Sequence, residues 1–150
     1  MKKYQILTVA AILLFSILGF NLISRAAEVI FVEGNVQVQS PSDQVWKKAE
    51  KGMKVDIGDS IRTARHSKIQ LALDPAKKNT ISLGERTLVV LNSSTPGTVD
   101  RLDLSRGRVY SNLEDIKAGL SFEVNTPSAV AGGRGSGYMV YSEKDEDEVS

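Results

Sequence analysis

The residues best suited to chemistry stand in a glycine-rich stretch, TPSAVAGGRGSGYMV, which spans Thr126–Val140. Its glycines at positions 133, 135 and 137 have the spacing G-x-G-x-G, whereas dinucleotide-binding loops use G-x-G-x-x-G. Tyrosine follows Gly137 where a phosphate-binding P-loop would have lysine. We interpret the glycines as places where a positive φ or a close approach lets one strand cross a neighbour. Pro127 is expected to end strand pairing on one edge.

Arg134 lies in the middle of this stretch and leaves two interpretations open. A guanidinium beside free backbone N–H groups can hold a carboxylate or a phosphate. It can equally pair with an internal acid such as Asp59 or Glu85, and we expect Arg134 to serve the fold before it serves a ligand. The candidate anion-contact residues are Thr126, Pro127, Gly132, Gly133, Arg134 and Gly135.

Residues suited to catalysis or metal binding are scarce elsewhere. Asp56 and Asp59 stand three residues apart in a strand–turn segment, where side chains commonly point different ways, so a paired acid and base is disfavoured. His66 is the only histidine and there is no cysteine, so a zinc site is not expected and His66 is predicted to be a polar turn residue. We therefore predict no catalytic residue, no metal and no cofactor.

Trp46 is the only tryptophan. We predict that it is a core residue that closes one end of a β-structure, because burying an indole stabilises a fold by about 2–3 kcal/mol. The alternative is an exposed ring that stacks on a glycan. Such a site usually needs a second aromatic ring, and the neighbouring sequence supplies none.

The N-terminal segment has the features of an export signal. Lys2 and Lys3 precede an apolar run, Ile6–Ile23, and cleavage after Ala26 would leave small residues at the cleavage site. Residues 1–26 are thus predicted to be a signal peptide. An uncleaved inner-membrane anchor is the alternative, since 18 residues can span a bilayer. Both interpretations place the rest outside the cytoplasm, in the periplasm or at the cell surface.

Charge and composition exclude one class of partner. The formal net charge is +1, and removal of residues 1–26 leaves 16 basic and 18 acidic groups. Five of those acids lie in the last eight residues, and residues 142–150 are predicted to form a disordered acidic tail. The remaining chain has no basic stripe with interleaved aromatic residues, so nucleic-acid binding is not expected.

Period-two alternation of apolar and polar residues dominates after residue 27. Short alternating runs recur at roughly ten-residue spacing with turn residues between them, which is typical of an all-β fold. We predict one domain over residues 28–141, a compact β-sandwich or β-roll of short strands. Gly34 and Asn35 are predicted to close a tight hairpin, and a second turn is predicted at Gly107. A turn is also predicted at Gly58 and Asp59, where the aspartate can accept backbone N–H bonds. After it, Ile61 and Thr63 are predicted to point inward and Arg62 outward.

The order of these motifs resembles the FecR domain. The segments that carry the resemblance are WKKAEKGMKVDIGDSIRT, ISLGERTLVVL, LDLSRGRV and FEVNTPSAVAGGRGSGYMV, and they cover roughly residues 29–141. The family is named after a periplasmic regulator of ferric citrate uptake, and the resemblance implies an extracytoplasmic β-domain without enzymatic activity. The matching positions are Gly58, Asp59, Arg62, Thr63, Gly107, Thr126, Pro127, Arg134 and Gly135, with Trp46 as a further structural residue.

The resemblance favours a non-enzymatic module of the cell envelope that senses or binds a partner, either an envelope protein or a glycan. Only Met1–Gln5 precede the apolar run, so no cytoplasmic sigma-factor partner is carried over from the founding regulator. One alternative is a membrane-tethered signalling subunit that retains Ile6–Ile23. Another is an envelope glycan hydrolase, which would need two carboxylates facing one cleft.

Overall fold

The computed structural model describes residues 27–93, 98–114, 122–133 and 138–142. These residues form twelve strands and no helix, so the predicted all-β class is confirmed. Nothing in this part of the chain is a helix of the length and apolarity that a membrane span requires. The predicted export segment lies outside the described residues, and so does the predicted acidic tail except for Ser142, which ends the last strand.

The strands are short, with one exception of thirteen residues. Their bounds are β1 Ala27–Glu33, β2 Val36–Gln39, β3 Trp46–Lys48, β4 Lys54–Val55, β5 Ser60–Thr63, β6 Lys68–Ala72, β7 Asn79–Leu83, β8 Leu88–Asn92, β9 Arg101–Leu113, β10 Phe122–Asn125, β11 Val130–Gly133 and β12 Tyr138–Ser142.

The strands form one curled sheet with two halves. The first half has the order β4-β1-β6-β7-β9-β12, and the second has the order β3-β2-β5-β8-β9-β10-β11. All neighbours are antiparallel except β9 and β10, which are parallel. The long strand β9 belongs to both halves, because its N-terminal part pairs with β8 and its C-terminal part pairs with β7. This arrangement folds the sheet around one core.

The hairpin predicted at Gly34 and Asn35 is wrong. β1 pairs with β6 and β4, and β2 pairs with β5 and β3, so β1 and β2 do not pair with each other. The N–H of Asn35 donates to Ser67 Oγ (2.9 Å), and its carbonyl accepts from the N–H of Ala64. These partners belong to the connection between β5 and β6. The segment is therefore a bend through which the chain passes from one half to the other.

The turn predicted at Gly107 is also wrong, because β9 continues through this residue. Gly107 has a φ of +103°, and a Cβ added there would lie 2.3–2.7 Å from atoms of Thr87. Only glycine fits this combination of a left-handed φ and a close neighbour. Gly107 bends the strand where it leaves one half of the sheet for the other.

Four chain segments make this passage side by side, and we name the region the corner. It consists of residues 34–35, 64–67, 84–87 and 107–108. The hydroxyl of Thr63, which borders it, donates to the carbonyl of Gly84 (2.6 Å) and accepts from the N–H of Thr87 (2.9 Å). The Thr87 hydroxyl in turn accepts from the N–H of Arg108 (3.1 Å). Two threonines thereby join three of the four segments.

One hydrophobic core fills the space inside the curl. Side chains alternate as the sequence predicts along β5, where Ile61 and Thr63 are buried and Arg62 is exposed. Burial of this apolar surface supplies most of the stabilisation of the fold. The largest fully buried side chains are Val29, Val36, Val55, Ile61, Ile69, Leu71, Ile81, Leu83, Val89, Leu91, Leu102 and Leu104.

Replacement of Gly107 by alanine is expected to lower the free energy of unfolding by about 2–4 kcal/mol, since it adds both backbone strain and a collision with Thr87. Gly52→Ala is the matched control, because Gly52 has a φ of +88° but no atom within 4 Å of an added Cβ. That variant should lose only about 1 kcal/mol, from strain alone. Urea denaturation measures both, and equal losses would contradict the role of Gly107 in the corner.

Replacement of Thr63 by valine keeps the shape of the side chain but leaves the N–H of Thr87 and the carbonyl of Gly84 without this partner. We expect a loss of about 1–3 kcal/mol in the free energy of unfolding. The control is Thr80→Val, since the buried Thr80 hydroxyl makes no hydrogen bond within the described part of the chain. A similar loss in both variants would show that the Thr63 hydroxyl does not stabilise the corner.

Candidate functional site

The outer face of the first half of the sheet carries most of the exposed apolar side chains. Phe31 is 42% exposed, Tyr110 46%, Tyr141 55% and Met139 67%. With about 200 Å² for each fully exposed side chain, this face offers solvent about 400 Å² of apolar area. Two other large hydrophobic residues are exposed within the described ranges, Val45 and Val130. Val45 directly precedes β3 and Val130 begins β11, so both lie in the second half.

A single row of residues crosses this face from strand to strand. Phe31 on β1 is opposite Gln70 on β6, and Gln70 is opposite Ser82 on β7. Ser82 is opposite Tyr110 on β9, which is opposite Met139 on β12. Neighbouring strands lie about 4.8 Å apart, so the row is about 19 Å long. We name these five residues the aromatic row.

A β-bulge in β1 brings Phe31 into the row. Val29 is buried opposite Leu71, and strict alternation would turn Phe31 inward as well. The register shifts by one residue between Val29 and Phe31, and this leaves Ile30 as the extra residue. Phe31 therefore faces outward beside Gln70. The four consecutive apolar residues Val29–Val32 interrupt the alternation without showing which of them face outward, so sequence reasoning missed Phe31 and with it the row.

The row contains no ionisable carboxylate or amine. Its two ends are apolar, and between the two rings lie the amide of Gln70 and the hydroxyl of Ser82. Both polar side chains are half-buried and form no hydrogen bond with other described residues. An amide offers two donors and one acceptor, and a hydroxyl offers a donor and an acceptor. The row can thus stack on flat apolar groups and hydrogen-bond to polar groups between them.

A row of charged residues runs beside the aromatic row on the side of the corner. Lys68 and Glu33 are opposite each other, and their side chains form an ion pair of 3.0 Å. The Lys68 ammonium lies 5.3 Å from the centre of the Phe31 ring. This exposed lysine is therefore neutralised by an acid while it also covers part of the ring.

Arg108 occupies the equivalent place at the other end. Its guanidinium lies 3.7 Å from Glu85 and 6.0 Å from the centre of the Tyr141 ring. The hydrogen bond from the N–H of His66, followed by the charges of His66 and Arg108, lowers the pKa of the Glu85 carboxyl. His66 is an exposed turn residue with a φ of +54°, as predicted.

Trp46 does not occupy the predicted core position. It is half-buried on the edge strand β3 and lies outside the core cluster. The guanidinium of Arg62 lies 4.1 Å from the centre of the indole and covers one face, while its Nε–H donates to Gln37 (2.7 Å). The nearby Ala49 takes the buried place instead. Arg62 faces outward from β5 because side chains alternate along this strand, and its guanidinium contacts the indole there. This contact explains why Trp46 lies at the surface rather than in the core.

Gly58 and Asp59 form a turn, and the carboxylate of Asp59 accepts a hydrogen bond from the N–H of Asp56 (2.9 Å). Asp59 is buried, and this burial raises the pKa of its carboxyl above the ordinary value. The carboxylate thus holds the turn together. This is the structural role that the sequence favoured over an acid–base pair of Asp56 and Asp59.

The structure describes only part of the glycine-rich stretch. Thr126 and Ala129 exchange hydrogen bonds around a turn that joins β10 to β11, and Pro127 is exposed in this turn. Gly132 has no left-handed φ, and the nearest atom to an added Cβ lies at an ordinary 3.7 Å, so the proposed need for glycine is wrong there. Gly133 ends β11. Arg134 and Gly135 lie outside the described residues.

Metal chemistry has no support in the described ranges, where no three histidine, aspartate or glutamate side chains are grouped as metal ligands. The fold and its outer face thus define an all-β domain that presents a strip of rings and polar groups to solvent. The family model for FecR protein matches residues 59–150, more than half of the chain. The chain belongs to the FecR family, as its motifs indicated. Comparisons with curated proteins and with solved structures return no match.

The family match begins later in the chain than the resemblance drawn from the sequence motifs. It begins at Asp59, directly before β5, whereas the resemblance was drawn from about residue 29. The matched region contains β5–β12, and β1–β4 precede it. Four of the five residues of the aromatic row lie in the matched region, and Phe31 lies before it.

The raised pKa of Asp59 has a consequence for stability. Because its folded-state pKa lies above the unfolded value, the folded protein binds the proton more tightly, and Asp59 makes unfolding easier as the pH rises through that range. We expect wild type to gain stability relative to Asp59→Asn as the pH falls from neutral through the pKa of Asp59. Asparagine can still accept the N–H of Asp56 and does not titrate. A difference in Tm that stays constant with pH would contradict the raised pKa.

Proposed function

We propose that this FecR-family chain is a non-enzymatic binding module of the cell envelope, and that it contacts its partner through the aromatic row. The observation that carries the proposal is the exposure of Phe31, Tyr110 and Met139 along one straight line. A patch of about 300–600 Å² is the largest on a typical soluble monomer and often marks a functional surface. Tyr110, Met139 and Tyr141 together expose about 340 Å², which lies in that range. Phe31 lies apart from them, beyond Gln70 and Ser82.

The placement of the row supports binding rather than chance exposure. Its residues come from five strands, so they are fixed by main-chain pairing instead of lying on a loop. A backbone that is already ordered loses little entropy when its residues bind a partner, which strengthens association. A bulge is required to turn Phe31 outward, and bulges commonly redirect side chains near functional sites.

The absence of enzymatic activity is part of the same proposal. It is supported by the structural use of acids that could otherwise act as catalysts. Asp59 holds a turn, Glu85 contacts His66 and Arg108, and Glu28 pairs with Lys54. A hydrolase would instead need two carboxylates that face one substrate.

The envelope location is proposed from the N-terminal sequence. Two lysines followed by the apolar run Ile6–Ile23 direct export, and cleavage after Ala26 would release the domain beyond the inner membrane. Retention of the run would hold the domain at the outer surface of that membrane. The partner in both cases is a component of the envelope.

Retention on isolated cell envelopes tests the proposal. The full chain carrying Phe31→Ala and Tyr110→Ala should be retained about tenfold less well than wild type, because loss of exposed ring anchors weakens a binding surface. The control carries Val45→Ala and Val130→Ala, which remove exposed apolar side chains from the other half. An unchanged Tm confirms folding. Equal retention of the two double variants would refute the row as the contact surface.

A further inference from the structure

We infer that the aromatic row binds an uncharged polysaccharide, which lies across the strands with sugar rings stacked on Phe31 and Tyr110 and hydroxyl groups hydrogen-bonded to Gln70 and Ser82. This inference rests on the proposed function, since it names the chemistry of the partner at the same surface. Four features of the row support it, namely its charge, the order of its residues, its shape and its length.

The charges beside the row favour an uncharged occupant. Lys68 pairs with Glu33 and Arg108 with Glu85, so each cation has an acid as its neighbour. An anionic polymer or an anionic lipid surface gains its affinity from cations that are not already neutralised. These four residues together carry no net charge, so the row of charged residues on the side of the corner presents no unpaired cation to an anionic occupant.

The order of the residues favours a sugar over a protein surface or an acyl chain. In protein interfaces the apolar anchors cluster at the centre and the polar groups form the rim. Here Gln70 and Ser82 lie at the centre and the rings lie on either side. An apolar occupant would cover these two groups without giving them partners, at a cost of about 1–3 kcal/mol for each. Sugar hydroxyls both donate and accept, so they satisfy an amide and a hydroxyl.

The shape of the row fits a linear chain. At the end of the row Tyr141 lies beside Met139, but the part from Phe31 to Tyr110 is one residue wide, with charged residues beside it on the side of the corner. On the other side Glu28 pairs with Lys54 and Lys77. A pyranose ring has apolar C–H faces for stacking and polar edges for hydrogen bonds, so a single glycan strand matches a narrow strip of rings and polar groups.

The length of the row predicts a dependence on chain length. Phe31 and Tyr110 are separated by three strand spacings, or about 14 Å. A disaccharide reaches only one of the two rings together with the polar groups, whereas a longer oligosaccharide reaches both. Engagement of the second ring is then intramolecular and raises the affinity.

The first experiment titrates the isotope-labelled full chain with neutral oligosaccharides, namely chitohexaose, cellohexaose and maltohexaose, each compared with its disaccharide. The protein is kept in a zwitterionic detergent without a sugar headgroup. At least one hexasaccharide should shift the amide signals of Gln70, Ser82 and Tyr110, with an affinity about tenfold above that of its disaccharide. The affinity should persist in about 1 M salt, where the Debye length is only about 3 Å.

The indole of Trp46 provides an internal control for location. It lies on the second half of the sheet, where Arg62 covers one face. Binding at the row should leave the Trp46 signals unchanged. Shifts confined to the surroundings of Trp46, or no binding by any of the three hexasaccharides, would overturn the inference.

The variant Gln70→Leu distinguishes failure of the inference from failure of the proposed function. Leucine makes the row more apolar but removes its amide, so a sugar should bind about three- to tenfold more weakly. A protein or lipid occupant should instead make envelope retention stronger. Retention that depends on Phe31 and Tyr110 but increases in Gln70→Leu would overturn the glycan and leave the binding module intact. Retention unaffected by all of these variants would overturn both.

Discussion

The structure depends on the hydrogen bonds of the Thr63 hydroxyl, which joins two neighbouring chain segments at the corner by contacting Gly84 and Thr87. Each segment must leave one half of the sheet and enter the other without losing its neighbours. Backbone groups at such a bend cannot all keep ladder partners, and buried groups without partners are costly. Threonine hydroxyls replace the missing partners, and Gly107 gives the room for the closest approach, to Thr87.

The corner links the interior of the protein to its outer face. The strands keep the same lateral neighbours on both sides of the bend, so the register on the first half is fixed by contacts made at the corner. That register aligns Gln70, Ser82 and Tyr110 in one line. Lys68, next to the corner, and Arg108, within it, are positioned by the same pairing, and each is paired with an acid beside this line. A surface that binds through rings at fixed distances needs this rigidity.

Much of the local structure could be predicted from the sequence. Alternation identified the strands and the inward and outward positions around Arg62, and the turn at Gly58 and Asp59 followed from the residue types. Two predictions that assigned partners to a turn were wrong. Glycine at positions 34 and 107 was taken to reverse the chain, but both glycines bend it toward the other half of the sheet. A glycine in the sequence indicates that a positive φ is possible at that residue. The same φ occurs in a hairpin turn and in a bend, so the residue type does not tell which strands pair.

The sequence by itself determined the all-β class, the membership of the FecR family and the alternation that builds the core, because these follow from local residue types and their order. Only the tertiary structure decided which strands are neighbours and which face each side chain joins. Phe31 shows the reason most clearly. Its outward direction follows from a one-residue register shift against β6, a strand more than thirty residues away along the chain. Such a shift reverses the later side chains of the strand, and the apolar run Val29–Val32 does not show where the shift falls.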